Sequence, residues 1–270
     1  MKISLLISTY NWERALELCL YSVFAQTVKP DEILIADDGS RDETRQLIER
    51  LRKKADIPII HVWHEDDGFR KTVILNKTLL KASHPYIIQI DGDVVLDRNF
   101  IADHLDLAAK GYLVCGSRVL LGRHSTTRVL RGWETYPRFF KHSLGFMLNA
   151  FRSRILRKYL AERYAKNSMW RVRGCNMAYW LDDFLRVNGY NESLEMWGQE
   201  DVELAYRLVH SGVKKKQLKM GGVEFHLYHT LASRANLHYH EEVLHQVIRD
   251  KIAWCENGIV KTDDFSRPTR

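Results

Sequence analysis

No run of about 18 consecutive apolar residues occurs in this chain, so the sequence offers no segment of membrane-spanning length. The apolar residues near the start are too few for a signal-peptide core. They lead straight into Tyr10-Asn11-Trp12-Glu13, so a leader is not expected. Cysteine is scarce: Cys19, Cys115, Cys175 and Cys255 lie far apart and form no Cys-x-x-Cys pair. That argues against a zinc ribbon or a disulfide scaffold, fits a reducing cytosol, and leaves most of the four as small buried apolar side chains. There is no internal repeat and no low-complexity segment. Acidic residues are almost missing from the middle third, where only Glu134 and Glu162 oppose the Arg and Lys residues running from Arg118 to Arg173. The whole chain carries +7 at an isoelectric point near 9.2, and a field of one sign suits an anionic partner. No helix-turn-helix, finger or RNA-binding signature accompanies the charge, so a nucleic-acid partner is not expected.

What is present is alternation. A β-branched apolar strand at residues 2–8 precedes a helix-spaced stretch from Glu13 to Thr27, and a second strand spans Glu32 to Ala36. A helix from Asp42 to Lys54, a strand from Ile57 to Trp63, a helix from Thr72 to Ser83 and a strand from Tyr86 to Ile90 follow. This is the pattern of an α/β domain with a mostly parallel sheet covered by helices on both faces. Such sheets bind ligands beyond the carboxyl ends of their strands. There the sequence places Thr9-Tyr10-Asn11, Asp37-Asp38, Glu65-Asp66-Asp67 and Asp91 with Asp93. Later, Phe100 to Lys110 reads as a helix, Tyr112 to Leu121 as a strand, Ser143 to Tyr164 as a helix, and His238 to Glu256 as a terminal helix. The organisation expected is a first half at 1–115, a basic, aromatic helical insertion at 116–171, a second half of the same domain at 172–260, and a loose tail at 261–270.

Several groups in this frame have chemistry. Asp91-Gly92-Asp93 ends a strand, where residues two apart point the same way, so both carboxylates can face one hard divalent cation, Mg²⁺ or Mn²⁺. A solvated strand-end turn is the plain alternative. Asp37-Asp38-Gly39-Ser40 can hold a nucleoside or simply cap the following helix. Trp197-Gly198-Gln199-Glu200-Asp201 precedes a helix, whose dipole alone would favour acids there. Alternatively the acids supply a general base, with Trp197 as a platform for a sugar ring. Glu224-Phe225-His226-Leu227-Tyr228-His229 offers two imidazoles that can complete a metal shell or simply lie at the surface.

Taken together, these residues resemble the inverting glycosyltransferases of family two, with the GT-A fold. The resemblance rests on Ser8-Thr9-Tyr10-Asn11, Ala36-Asp37-Asp38-Gly39-Ser40, Asp67-Gly68-Phe69-Arg70-Lys71 with Asn76, and Ile90-Asp91-Gly92-Asp93. In the second half, Arg173-Gly174-Cys175-Asn176-Met177, Gly189-Tyr190-Asn191-Glu192 and Trp197 to Asp201 are similar to the acceptor-side region of galactosyltransferase and chondroitin-polymerase-like enzymes. The resemblance implies a GT-A (Rossmann-like) sheet and a nucleotide-sugar donor, UDP by family habit. Asp38 would contact the uracil, with Thr9, Tyr10 and Asn11 lining the base pocket. Asp91 would reach the ribose or metal, and Asn76 would lie on the donor side. Arg70 and Lys71 would touch the pyrophosphate. Asp93 and His226 would hold Mn²⁺ or Mg²⁺, and His229 would contact a phosphate. Asp201 would be the catalytic base, with Glu200 beside it and Trp197 and Asn176 on the acceptor.

The reaction so implied is a metal-assisted single displacement that moves a hexosyl or N-acetylhexosaminyl group to a hydroxyl of a cell-surface glycan or lipid-linked acceptor. The segment at 122–171 matches no part of the family pattern. It reads either as a solvated surface or as a face docking peripherally on an anionic membrane, with Phe139, Phe140, Leu144, Phe146, Met147, Leu148, Phe151, Ile155 and Leu156 interleaved among basic residues. The location expected is cytoplasmic, at the inner face of the membrane. Rival readings are a non-catalytic scaffold subunit of polysaccharide assembly, a nucleic-acid-binding protein, and a sugar nucleotidyltransferase. The last would want a Gly-rich, Arg-bearing loop where Thr9-Tyr10-Asn11-Trp12 stands.

Overall fold

The computed structural model describes residues 1–132, 150–164, 168–230 and 235–261. Its first half follows the alternation: β1 (Ile3–Thr9), α1 (Glu13–Phe24), β2 (Glu32–Asp37), α2 (Asp42–Arg52), β3 (Ile59–Trp63), α3 (Lys71–Leu79) and β4 (Tyr86–Asp91). After a short β5 (Val94–Leu96) come α4 (Phe100–Leu107), β6 (Tyr112–Cys115), β7 (Val119–Leu120), α5 (Arg123–Leu130) and α6 (Arg154–Leu160). The last third supplies β8 (Met177–Trp180), α7 (Leu181–Arg186), α8 (Glu200–His210), β9 (Lys214–Gln217), β10 (Glu224–His226) and α9 (Leu237–Asp250).

Seven strands form the main sheet in the order β3-β2-β1-β4-β8-β6-β9. Pairing is parallel from β3 through β4, antiparallel on both sides of β8, and parallel again between β6 and β9. The reason β1 is apolar without alternation is visible in the core. Leu5 and Ile7 pack on one face with Leu16 and Leu20 of α1, Ile48 of α2 and Phe100 of α4. Leu6 packs on the other with Ile74 and Leu75 of α3 and Leu204 and Leu208 of α8. Successive side chains leave opposite faces of a strand, so a sheet sandwiched between helices needs apolar residues at every position. Each such Leu or Ile, fully buried, contributes about 1.5–3 kcal/mol.

A single strand expected over 112–121 is two strands instead. β6 stays in the main sheet, whereas β7 joins β5 and β10 in a small second sheet ordered β5-β10-β7. The crossover falls at Gly116, which has no room for a side chain because an added Cβ would lie 2.0 Å from Asn176 Oδ1. The second sheet has its own core of Val95, Val119, Val223, Phe225 and Leu227. The terminal helix stops at Asp250, short of the expected Glu256, where Lys251 turns left-handed with φ 52°.

The basic stretch is less unbalanced in space than in sequence. Of the helix expected over 143–164, residues 150–164 are described and only α6 within them is helical; the basic residues here meet acids from α4. Arg157, nearly fully buried, pairs with Asp103 at 2.8 Å and Asp106 at 3.0 Å, and Arg152 pairs with Asp103 at 2.7 Å. Arg154 and Lys158 also reach Asp106. The remaining face of this segment exposes Phe151, Ile155, Leu156 and Tyr159. Phe139, Phe140, Leu144, Phe146, Met147 and Leu148 lie outside the described residues. Among the described residues no helix is long and apolar enough to cross a membrane. All four cysteines are buried and free.

Candidate active site

The carboxyl ends of β1, β2 and β4 are level with one another: Thr9 pairs with Asp37 and Ser8 with Asp91. Polar groups therefore gather at one edge of the sheet. At the β2 end the Asp38 carboxylate accepts from Arg70 N–H at 2.9 Å and lies 2.7 Å from His64 Nε2. Both its oxygens are thus engaged in holding the 64–70 loop, and burial raises its pKa. The same loop crosses over Gly39, whose φ is 91° and where an added Cβ would fall 2.5 Å from Asp66 Cα, so only glycine fits. On the rim, the half-exposed Tyr10 donates its hydroxyl to Asp66, and Asn11 accepts from Arg41 N–H. Arg70 pairs with Asp67 at 3.0 Å. Thr9 sits at the mouth of this edge, with its Oγ1 3.2 Å from where a Cβ on Gly92 would be.

Lys71 does not extend toward the rim with Arg70. Its Nζ donates to Asp91 Oδ1 at 2.8 Å, and Ser8 Oγ donates to the same oxygen at 2.7 Å. Burial alone would lift the Asp91 pKa. The ammonium and these hydrogen bonds overcome it and bring the group down to about 2. In return, Lys71 is raised above its ordinary value by Asp91, Glu200 and Asp201 against the opposing effect of burial, so all three carboxylates lie within its field.

Asp93 stands apart from Asp91 and faces two imidazoles. The antiparallel pairing of β5 with β10 sets His226 opposite Val94, and Leu227 N–H donates to Asp93 O. His226 Nε2 lies 3.5 Å from Asp93 Oδ1, and His229 Nε2 lies 3.3 Å from Asp93 Oδ2. The Nδ1 atoms of both rings point at backbone carbonyls, Leu227 O at 2.9 Å and Thr230 O at 2.8 Å. Carbonyls only accept, so each Nδ1 carries a hydrogen and each Nε2 presents its remaining valence to the carboxylate. Asp93 Oδ1 is buried without a hydrogen bond among the described residues, and burial raises its pKa despite both histidines. Two imidazole nitrogens converging on a carboxylate need a proton or a cation between them. The three ligand atoms, all within 4.8 Å of one another, suit a divalent ion. His229, expected to contact a phosphate, thus stands with Asp93 and His226, the pair expected to hold a metal. The Glu224 carboxyl, two residues before His226 on the same strand face, is fully buried beside the Cys175 thiol and the Arg118 guanidinium, and burial holds its pKa well above the ordinary carboxylate range. Its composition signalled nothing, since a strand-borne Glu is ordinarily a surface residue.

Glu200 and Asp201 open α8. Gly174 N–H donates to Asp201 Oδ2 at 2.6 Å, and a Cβ on Gly174 would lie 3.1 Å from that carboxylate, so the glycine is what lets the backbone come close. Burial, then the neighbouring Asp201, raises Glu200 to about 8, with Lys71 pulling the other way. The turn before them is strained: Met196, Gly198 and Gln199 have φ of 73°, 126° and 67°. A non-glycine residue in this region costs about 1–2 kcal/mol. Trp197, partly exposed, projects from this turn.

Two expected ligand contacts are structural instead. Asn76 is buried, with its amide donating to Tyr190 O and Glu192 Oε1 and accepting from Tyr190 N–H. Asn176 is fully buried, donating to Ser117 O and Gly222 O, with His104 Nε2 2.9 Å from its Oδ1. Both amides tie distant loops together, and neither opens toward an acceptor or donor.

A mostly parallel sheet whose carboxyl edge bears clustered carboxylates, with β8 alone running antiparallel within it, defines a GT-A α/β protein. The chain belongs to glycosyl transferase family 2, whose sequence profile matches residues 4–175; the profile of the N-terminal domain of galactosyltransferase matches residues 154–230. Chondroitin synthase from Pasteurella multocida is 25% identical over 83% of this chain and 24% of its own length. Validoxylamine A glucosyltransferase from Streptomyces hygroscopicus subsp. limoneus is 27% identical over 78% of this chain and 48% of its own. The chain therefore spans a quarter to a half of the length of these curated relatives. Among solved structures, the mannosyltransferase PcManGT from Pyrobaculum calidifontis, in complex with GDP-Man and Mn²⁺, shares the fold at a TM-score of 0.59 and 18% identity, over 84% of this chain and 56% of that one. TarS of S. aureus does so at 0.63 and 15%, over 98% and 41%, and a TarS fragment was solved with UDP.

Proposed function

We propose that this chain is an inverting glycosyltransferase that moves a hexosyl or N-acetylhexosaminyl group from a UDP-sugar to a hydroxyl of a cell-surface glycan or lipid-linked acceptor. The observation that carries this reading is the convergence of Asp93, His226 and His229 next to a second acidic centre, Glu200 and Asp201, with Lys71 within the field of both. Asp93 and the two histidine Nε2 atoms would hold the cation, and their mixed nitrogen and oxygen donors suit Mn²⁺ better than Mg²⁺. When bound, the ion would neutralise negative charge on the departing diphosphate.

The chain's own groups do the rest. Tyr10, Asn11 and the loop that Asp38 holds form the nucleoside rim, and Arg70 stands where it can meet the diphosphate. Lys71 keeps Asp91 ionised. Asp201, held by Gly174 N–H, takes the proton of the acceptor hydroxyl as that oxygen attacks the anomeric carbon, and one displacement inverts the configuration. Trp197 offers an apolar face to the acceptor ring. The relatives support a glycan acceptor: chondroitin synthase and poly-beta-1,6-N-acetyl-D-glucosamine synthase are both named for polysaccharide products.

The test separates the two centres. Asp93→Ala or His229→Ala should weaken Mn²⁺-dependent UDP binding by at least about 10–100-fold in calorimetry, the range produced by losing even a supporting ligand contact. Asp201→Asn should bind UDP with Mn²⁺ normally and lose about 10²–10⁴-fold in sugar transfer. Normal transfer by Asp201→Asn removes the base assignment. Nucleotide binding with no sugar release from any UDP-sugar turns the protein into a binding subunit.

A further inference from the structure

The turn that carries Trp197 into the site does not stand on its own. Its backbone is held at four points. Met196 N–H donates to Phe69 O in the donor-side loop at 3.2 Å, and Gly198 N–H donates to Glu200 Oε2 at 3.2 Å. Asn236 Nδ2 reaches Glu195 O at 3.4 Å, and Gly198 O receives the shortest bond of the set, 2.6 Å from His240 Nδ1. The last two come from α9 and the residue before it, far along the chain from the catalytic acids. His240 is fully buried, and its Nε2 has no hydrogen-bond partner among the described residues. Because a carbonyl only accepts, Nδ1 is the protonated nitrogen, and this one bond accounts for the ring's polar contacts. Leu237, one helical turn before His240, lies 3.1 Å from the place of a Cβ on Gly198, so the same face of α9 is seated against the turn.

We infer that His240 is a positioning residue for the catalytic centre: through Gly198 it locks the left-handed turn that fixes Trp197 relative to Glu200 and Asp201. Gly198 is the hub, since its N–H is bound by one of the acids and its carbonyl by His240. Three left-handed residues in four do not hold themselves, and a turn with few local contacts opens unless outside groups fasten it. A displacement of about 1 Å at such a site costs on the order of 100-fold in rate, so a partial loosening falls below that. His240 makes no contact with the cation triad, and donor affinity does not depend on it.

The kinetic arm of the test rests on the glycosyltransferase reading; the exchange arm does not. In His240→Ala, amide hydrogen exchange in a peptide covering 195–203 should speed up by about tenfold or more, while the β1 and β4 peptides keep their wild-type rates. UDP release from UDP-sugars should fall about tenfold in kcat, with the dissociation constant for UDP plus Mn²⁺ unchanged within about twofold. His240→Asn places a carboxamide Nδ2–H near the position of Nδ1–H, and it should recover most of both losses. Unchanged exchange at 195–203 in a folded His240→Ala protein overturns the inference. So does an asparagine variant no better than alanine, or equal exchange gains throughout the sheet, which would make His240 a general stabiliser. If the wild-type protein releases no sugar from any donor, the enzymatic reading fails while the exchange arm still decides whether His240 holds the turn.

Discussion

At Glu200 the surroundings set a titration that can be read in stability. Its pKa, about 8 in the folded chain, stands above the unfolded value of 4.5. The folded state therefore holds its proton through a window in which the unfolded chain has released it. Stability from this group is fully present below pH 4.5 and is lost as pH rises toward 8. Glu200→Gln removes the ionisation and keeps the shape. Its melting temperature should match the wild type near pH 5 and exceed it by a growing margin up to pH 8. A constant difference across that range would mean that Glu200 is ionised throughout. Residue identities alone singled out Asp93, His226, Glu200 and Asp201, and the structure brings the first two together with His229 and sets the other two at the start of α8. The misassignments share one cause. Asn76 and Asn176 sit in motifs resembling ligand-binding ones, and only burial shows that their amides are consumed by Tyr190, Glu192, Ser117 and Gly222. Nor does sequence spacing tell that Lys71 turns inward to Asp91 while its neighbour Arg70 turns outward to Asp67.

Among the elements, α8 has the heaviest duties. Its first turn bears Glu200 and Asp201, the acids assigned to catalysis in the proposed function, and its interior contains an ion pair, Arg207 with Glu203 one turn before, both side chains 1% exposed. Arg207 also donates to Val187 O, which fastens the helix to the end of α7. Arg207→Ala leaves Glu203 charged and enclosed, and should cost about 3–5 kcal/mol in a urea titration with little change in slope. A loss under about 1 kcal/mol would show that water reaches Glu203. The strands and helices of the first half were legible because β1, β2 and β4 are built mostly of buried apolar residues and their helices keep the 3.6 period. The split of 112–121 into β6 and β7 was not, because both halves are equally apolar. What divides them is the close packing of Gly116 on Asn176, sixty residues later in the chain.

For the molecule as a whole, the question is what meets the face formed by Phe151, Ile155, Leu156 and Tyr159, which are 66%, 83%, 47% and 58% exposed. Asp103 and Asp106 neutralise much of the adjoining positive charge, so the attraction that sequence alone suggests is reduced and the apolar residues must contribute most of any docking. On the membrane reading, the protein should co-sediment with phosphatidylserine vesicles. The double variant Phe151→Glu with Ile155→Glu should lower that partitioning by at least about tenfold, because burying one such side chain is worth about 1.5–3 kcal/mol. Equal sedimentation of both proteins would remove bilayer docking through this face.

The pairing of β5 with β10 has a consequence for how the protein comes to be active. Asp93 belongs to the first half of the chain and its imidazole partners to the last quarter, and a single three-residue ladder joins them. During synthesis β1 to β4 emerge long before the strand that brings the two histidines to Asp93. On the proposed function, affinity for a divalent ion would arise only once the late strand has docked, so that ion uptake would report on finished folding.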